Sequence, residues 1–314
     1  MATRAVARPT RVTGGLRLGA LVDRHFMWIG LAPAALCLLL VLVYPVLANT
    51  AYAFTNKSFL FQDTSFVGLK NYFDVLSDEV YGFWAALRVS LIWTFGTVAM
   101  QFLLGMGAAL LLNQEVAGQR FFRVLLLVPW AFPVIVYAMI WRWMLNDQGG
   151  VITWLAVALG LMPEPVFLLG QPTTALPAVM GVAVWYGYPF MAASLLAGMQ
   201  SINSEYYEVA RIEGASTWQQ FWHVTLAFLR PVIVVVLVLR TIWVFNAFEL
   251  IYLLTRGGPN GATLTLPVLA YNLGWQQFLP GKAATVSVLM LLVLALAAIA
   301  YFRALAAQRE VEHG

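Results

Sequence analysis

Residues 201–223 read SINSEYYEVARIEGASTWQQFWH, a polar segment between the long apolar stretches 174–199 and 224–254. The segment predicts two short helices joined by a bend at Gly214. A helix, a glycine bend and a second helix beside a membrane make a compact projection, and a projection of this kind suits docking to another protein. We call residues 201–223 the polar knob.

Capping residues divide the polar knob into its two helices. Asn203 or Ser204 can cap the first helix, and Glu208 lies early in it, where negative charge suits a helix N-terminus. Ser216 begins a capping box with Gln219, which predicts that a second helix starts there and runs into the next apolar stretch.

The rest of the chain is apolar enough for lipid. Its 314 residues are 61% hydrophobic and 10% charged, with a mean hydropathy of +0.80. A soluble protein of this length carries far more charge. The apolar runs are continuous and reach about 20 residues or more, which predicts membrane-crossing helices rather than strands. We therefore expect an all-α polytopic membrane protein with about six spans, at roughly 27–53, 85–112, 121–145, 174–199, 224–254 and 283–306.

Basic residues favour one orientation in the membrane. With a cytoplasmic N-terminus, the inside segments hold ten Arg and Lys residues against six outside, and half of the ten lie in residues 1–24. This excess predicts that both termini and the polar knob are cytoplasmic. The expected domains are a flexible cytoplasmic tail at 1–24, a transmembrane domain at 25–308 that contains the polar knob, and a cytoplasmic tail at 309–314.

Motifs for chemistry within the chain are missing from the sequence. It has no G-x-x-x-x-G-K-[ST] phosphate loop and no G-x-S-x-G elbow, and its three histidines lie far apart. The single cysteine, Cys37, excludes an intrachain disulfide. We expect no catalytic residue, no metal site, no cofactor and no nucleic-acid partner. The open classes are a channel, a secondary transporter, a structural subunit, and the membrane part of a machine powered elsewhere.

The polar knob also carries a family resemblance. Glu208-Val209-Ala210, then Gly214, then Val224 and Pro231, resemble the EAA signature of ATP-binding-cassette importer permeases. Two positions depart from that signature: Val209 replaces an alanine, and Leu226-Ala227 replaces a Leu-Pro pair. Neither departure removes the glycine bend.

Other stretches narrow the resemblance to sugar permeases, and it covers about residues 25–305. Their order and spacing are similar to those of maltose- and glycerol-phosphate-type permeases. The matching stretches are RFFR at 120–123 before VPWAFP at 128–133, WYGYPFM at 185–191, and RTIWVFN at 240–246 followed by FELIY at 248–252 and TRGGP at 255–259.

For the polar knob, the resemblance implies a coupling helix that sits in a groove of a cytoplasmic ATPase. The alternative is an ordinary cytoplasmic loop with two helical turns. In the coupling interpretation Glu208 and Arg211, three residues apart on one helix, form or border the polar contact with the ATPase. The implied coupling residues are Glu208, Ala210, Arg211, Gly214 and Ser216.

Arg240 is the most informative residue within the spans. If its span begins near Pro231 and ends near Leu254, it lies about 14 Å from one end and about 21 Å from the other. An arginine at such depth needs a partner or a wet cavity. Two interpretations stay open: a structural ion pair or carbonyl clamp with another subunit, and a hydrogen-bond donor to substrate hydroxyls or to a phosphate.

The resemblance places further residues beside Arg240 in a sugar site. Helical spacing adds Trp243 to the face of Arg240 and puts Asn246 and Glu249 roughly opposite, towards a partner permease or an outer gate. The alternative for each aromatic residue is ordinary helix packing. The expected substrate-binding residues are Trp130, Tyr186, Gly187, Phe190, Arg240, Trp243, Val244 and Ala247, with Val134 nearby.

The resemblance implies a permease subunit in a bacterial inner membrane that imports a sugar, and we expect that sugar to be an oligosaccharide. Its implied partners are a second homologous permease, two cytoplasmic ATPase subunits, an external solute-binding (lipo)protein and membrane lipid. The chain itself is then not an enzyme. A glycerol-phosphate compound is the alternative substrate, and a secondary transporter, a channel or a scaffold is the alternative class.

Overall fold

The computed structural model describes Trp28 and residues 30–60, 64–114 and 117–313. Within those ranges the regular structure is helical, apart from one isolated bridge between Thr55 and Phe66. The expected tail at 1–24 lies outside the described residues. The last helix continues to His313.

The helix α1 (Gly30–Tyr52) forms a unit of its own. The second unit begins at Ala53 and holds the other helices. In chain order these are α2 (Lys70–Ser77), α3 (Phe83–Leu112), α4 (Gln119–Ala131, whose last turn is a 3₁₀-helix), α5 (Val134–Met144), α6 (Val151–Ala158), α7 (Pro172–Gln200), α8 (Ser204–Ile212), α9 (Thr217–Phe245), α10 (Glu249–Thr255), α11 (Leu266–Tyr271) and α12 (Pro280–His313).

The expected number of spans is confirmed. In the described part of the chain, five helices are long and apolar enough to cross a membrane: α1, α3, α7, α9 and the Pro280–Tyr301 part of α12. The pair α4 and α5 adds a sixth if both are counted as one span.

The third span is not one straight helix. The axes of α4 and α5 differ by 93° at a break between Ala131 and Val134. Pro133 has no N–H to continue a helix, and the preceding Phe132 has an extended backbone (φ −84°, ψ 136°), as residues before proline usually do. Pro133 therefore ends α4, and the chain continues as the separate helix α5.

The fifth span is shorter at its far end than predicted. α9 ends at Phe245 rather than near Leu254, and a separate helix, α10, starts at Glu249. At the end of α9 the carbonyl of Ile242 accepts twice from Asn246, from its backbone N–H (3.2 Å) and from its side-chain amide (2.8 Å). Arg240 therefore lies five residues, or about 8 Å, from the end of its helix rather than about 21 Å.

The core lies where α3 packs along α7 and both meet α9. Trp93 on α3 is fully buried and donates from Nε1 to the carbonyl of Val244, near the end of α9 (2.8 Å). This bond fixes the end of α9 against α3. Arg240 lies one turn earlier on α9.

Candidate functional site

A cavity of about 520 Å³ opens between the helices α3, α7, α9 and α10 and the region where α4 ends and α5 begins. Its lining is mostly aromatic and aliphatic, with a few polar side chains. The lining residues are Trp93, Gln101, Trp130, Val134, Tyr137, Ala183, Tyr186, Arg240, Trp243, Val244, Asn246, Ala247, Phe248, Glu249 and Leu250.

Arg240 is held by the amide of a buried glutamine. The Oε1 atom of Gln101 accepts from Nε (3.0 Å) and from Nη2 (2.7 Å) of Arg240. The Nε2 atom of Gln101 donates to the carbonyl of Ala183 (2.8 Å), and this bond determines which end of the amide faces the arginine. Gln101 is fully buried and Arg240 is 6% exposed, so the pair joins α3, α7 and α9 in the protein interior.

Gly187 on α7 leaves the space that this pair occupies. A Cβ at position 187 would lie 2.1 Å from Nε2 of Gln101 and 2.2 Å from Nη2 of Arg240. Atoms do not approach so closely, so any side chain at 187 would displace the pair. The contribution of Gly187 to the site is therefore the absence of a side chain, which leaves space for Gln101 and Arg240.

Aromatic rings surround the guanidinium. Its central carbon lies 5.9 Å from the ring centroids of both Phe190 and Trp243. Phe190 in turn contacts Trp130, with ring centroids 5.6 Å apart, and Tyr137 stacks on Tyr186 at 4.6 Å. The cavity thus combines aromatic faces with a single clamped cation.

Six of the eight residues expected to bind substrate line the cavity: Trp130, Tyr186, Arg240, Trp243, Val244 and Ala247. Gly187 and Phe190 do not line it but lie behind Arg240, as backbone space and as a stacking ring. Whether any of these side chains touches a substrate remains a prediction.

Gln101 and Tyr137 complete the cavity but were not expected from the sequence. A long polar side chain within the apolar span 85–112 was the available signal for Gln101, since a buried amide needs partners. No comparable signal marked Tyr137. Its partner Tyr186 lies on a different span, and the sequence of neither span shows how the two helices are aligned.

The expected position of Asn246 and Glu249, opposite Arg240, was wrong. Both residues line the same cavity as Arg240. The projection assumed a continuous helix, whereas α9 ends at Phe245 and the chain turns before α10. Among the described residues that line the cavity, Arg240 is the one cation and Glu249 the one carboxylate.

The polar knob has the two predicted helices, α8 and the start of α9. Asn203 caps α8, and its side chain accepts from the N–H of Glu205 (3.1 Å). Ser216 caps α9 in a complete capping box: its Oγ accepts from the N–H of Gln219, and Oε1 of Gln219 accepts from the N–H of Ser216 (2.8 Å). Because α9 is continuous, the second helix of the knob is also the fifth span.

Gly214 makes the bend between the two helices. Its φ is +84°, a left-handed conformation that other residues adopt at a cost. The N–H of Ala215 reaches the carbonyl of Ala210 (2.9 Å), and that of Gly214 reaches Arg211 (3.0 Å), which is the Schellman pattern for ending a helix.

The surface of the polar knob is exposed and partly apolar. Glu208, Arg211 and Ser216 are exposed, while Ala210 and Gly214 line a groove of about 410 Å³ between the knob helices. The Nε of Arg211 donates to the carbonyl of Tyr207 (3.2 Å). Large apolar side chains stand out from this otherwise polar segment: Val209, Ile212, Trp218 and Trp222.

One hydrogen bond ties the first knob helix to the base of the span. The hydroxyl of Tyr207 on α8 lies 2.9 Å from that of Thr225. Thr225 ends a π-helical turn, Phe221–Thr225, within α9. A widened turn of this kind often marks a functional site in a helix. The knob is therefore connected to the span both through the chain and through this side-chain contact.

The chain matches a described protein family. Residues 101–310 fit the family model "binding-protein-dependent transport system inner membrane component". This range contains Gln101, the whole polar knob and the residues of the cavity except Trp93.

Two relatives match over most of their length. The trehalose/maltose transport system permease protein MalF of Thermococcus litoralis is 38% identical over 240 residues, which are 76% of this chain and 80% of the relative. The diacetylchitobiose uptake system permease protein DasB of Streptomyces coelicolor is 33% identical over 310 residues, 96% of this chain and 92% of the relative.

Solved structures share the fold. A chain of the bacterial alginate ABC transporter, crystallised with an alginate pentasaccharide-bound periplasmic protein, superposes with a TM-score of 0.76 at 22% identity, covering 91% of this chain and 96% of that chain. The architecture of five or six candidate spans in the described residues, the family match and the two permease relatives agree, and the chain belongs to the binding-protein-dependent transport system inner membrane component family of multi-pass membrane permeases.

Proposed function

We propose that this permease carries an oligosaccharide through the cavity around Arg240, as a subunit of an ATP-binding-cassette importer. The single observation that carries the proposal is the cavity itself: aromatic faces around a clamped guanidinium, at the meeting point of three spans. Relatives named for trehalose/maltose and diacetylchitobiose uptake support a sugar as its substrate.

The chemistry of the lining suits a sugar. A pyranose ring has an apolar face that can stack on Trp130 or Trp243, and hydroxyls around its rim that accept hydrogen bonds from Arg240 or Tyr186. The volume of about 520 Å³ falls within the range of about 300–1,000 Å³ usual for small-molecule sites.

The energy comes from separate ATPase subunits that dock on the polar knob. Exposed apolar side chains such as Trp218 and Ile212, beside the groove at Ala210 and Gly214, support a protein–protein contact at this place. α9 continues from the knob to Arg240, so a movement of the docked ATPase passes to the cavity through one helix.

The remaining partners follow from the proposed class. A second, related permease completes the passage, two ATPase copies lie on the cytoplasmic side with both termini, and an external binding protein delivers the sugar. A family defined by its dependence on a binding protein favours this importer over a secondary transporter or a channel. The tails 1–24 and 309–314 flank the permease domain 25–308.

Reconstitution in proteoliposomes tests the proposal. This permease is combined with a second permease, an ATPase and a binding protein from the same genome, and uptake of labelled maltose, trehalose and diacetylchitobiose is measured with and without ATP. We expect ATP-dependent uptake of at least one oligosaccharide that also requires the binding protein. Uptake of a sugar without the ATPase would refute the importer, and uptake of glycerol phosphodiesters but of no sugar would favour the alternative substrate for Arg240.

A further inference from the structure

The partner of Arg240 is neutral. A buried arginine is usually held by a carboxylate, which cancels its charge. Here the described hydrogen bonds of Arg240 both go to the amide oxygen of Gln101. Gln101 therefore orients the guanidinium but does not neutralise its positive charge.

The geometry of this contact leaves one edge of the guanidinium unused. Gln101 takes Nε and Nη2, the side edge of the group. The end edge, with one N–H from each Nη nitrogen, has no hydrogen-bond partner among the described residues, and Arg240 lines the cavity. Two parallel N–H donors of this kind bind a pair of neighbouring oxygens.

A carboxylate balances the charge from across the cavity lining. Glu249 lines the same space, and no hydrogen bond or ion pair joins it to Arg240 in the described part of the chain. The formal charges of the lining side chains, one positive and one negative, add to zero. A carboxylated or phosphorylated ligand would meet Glu249 as well as Arg240, whereas two adjacent hydroxyls would meet the guanidinium fork without adding charge.

From these observations we propose that Gln101 and Glu249 together adapt the cavity to uncharged sugars. Gln101 positions Arg240 with its free edge towards adjacent hydroxyls and leaves the charge intact, and Glu249 keeps the cavity neutral as a whole. This inference rests on the proposed function, since it assigns a substrate class to the same cavity.

A charge-exchange experiment tests it in the complete reconstituted importer. Gln101→Glu makes the cavity sum negative, Glu249→Gln makes it positive, and the double variant returns it to zero. Maximal uptake of the neutral sugar that the unmodified importer carries is measured per assembled complex, together with the concentration of loaded binding protein that gives half-maximal uptake.

We expect Gln101→Glu to lower maximal uptake about tenfold, because the new carboxylate still accepts from Arg240 and neutralises it, which weakens about one hydrogen bond from the guanidinium to a sugar hydroxyl. The half-maximal concentration should stay unchanged, because it reports docking outside the membrane. The double variant should recover about threefold rather than fully, because Glu249→Gln cannot replace the lost donor to the carbonyl of Ala183. A purely structural role of Gln101 would show no recovery.

Two further variants keep the test decisive. Gln101→Met removes the amide without adding charge, and we again expect about a tenfold loss; it replaces Gln101→Glu if that variant does not assemble. Gln114→Glu makes the same chemical change at an exposed position just beyond α3 and should leave uptake unchanged.

Wild-type rates in Gln101→Glu or Gln101→Met, or a double variant no faster than Gln101→Glu, would overturn the inference while leaving the proposed function in place. Failure of the unmodified importer to carry any neutral sugar would instead overturn both.

Discussion

Replacing Gly187 with alanine tests how the cavity is built. The new Cβ would lie 2.1 Å from Nε2 and 2.5 Å from Cδ of Gln101, and 2.2 Å from Nη2 of Arg240. Contacts below 3.0 Å cannot persist, so the amide and the guanidinium must separate or α7 must shift. Separation of the two groups breaks the bonds of 3.0 and 2.7 Å between them, and a shift of α7 pulls the carbonyl of Ala183 away from Nε2 of Gln101.

The size of the effect follows from these contacts. Overpacking a filled interior costs about 1–3 kcal/mol, and losing a hydrogen bond to a charged group costs about 1.5–3 kcal/mol. A combined loss of about 3 kcal/mol corresponds to about 100-fold in an equilibrium or a rate. We therefore expect Gly187→Ala to lower sugar uptake about 100-fold in proteoliposomes, with a lower unfolding temperature of the purified complex.

Gly181 provides the matched control. It lies on the same helix, α7, and a Cβ there meets nothing within 4 Å. Gly181→Ala should keep normal uptake and stability. If Gly187→Ala transported sugar at the normal rate, the tight packing of Gln101 and Arg240 against α7 would be refuted, and with it the account of why a glycine stands at 187.

Three further substitutions test the knob and the anchor of α9. Tyr207→Phe removes only the hydroxyl that contacts Thr225, and we expect uptake to fall about fivefold while ATP hydrolysis continues, since one hydrogen bond is worth about 1 kcal/mol. Gly214→Val forces a β-branched residue to φ +84° and should abolish uptake while ATP hydrolysis persists. Trp93→Phe removes one of the two hydrogen bonds to the carbonyl of Val244, which also accepts from the N–H of Ala247 (3.1 Å), and should destabilise the complex by about 0.5–1.5 kcal/mol in thermal unfolding.

Each of the three substitutions has either a control variant or a result that would contradict the prediction. Tyr206→Phe alters the neighbouring tyrosine, whose ring packs on Phe228, and should leave the ratio of uptake to hydrolysis unchanged. Trp154→Phe changes a tryptophan that is 67% exposed and should not alter thermal unfolding. Normal uptake by Gly214→Val would mean that the knob does not need its bend.

The polar knob shows how far local sequence can lead. Its caps at Asn203 and Ser216, its bend at Gly214 and the continuation into α9 were all predicted, because capping and left-handed turns depend on residues close together in the chain. The spans were found for a similar reason, since lipid demands about 20 apolar residues in a row.

The cavity shows where local sequence stops. Arg240 was identified as needing a partner, but the partner, Gln101, lies 139 residues away on another span. Pairing the two requires the register of α3 against α9, which no nearby pattern encodes. The misplaced Glu249 has a different cause: a helical projection carries a side chain to the wrong face as soon as the helix ends, and α9 ends at Phe245.

The two ends of α9 lie at very different distances from its anchor at Val244, so the same rotation moves them by different amounts. From the anchor at Val244, Thr217 is about 40 Å along the helix and Arg240 about 6 Å. For a rigid rotation about that anchor, a displacement of about 7 Å at the knob end moves Arg240 by only about 1 Å. α9 then works as a lever with its fulcrum beside the cavity, which turns a large movement at the cytoplasmic surface into a small and forceful adjustment of the guanidinium.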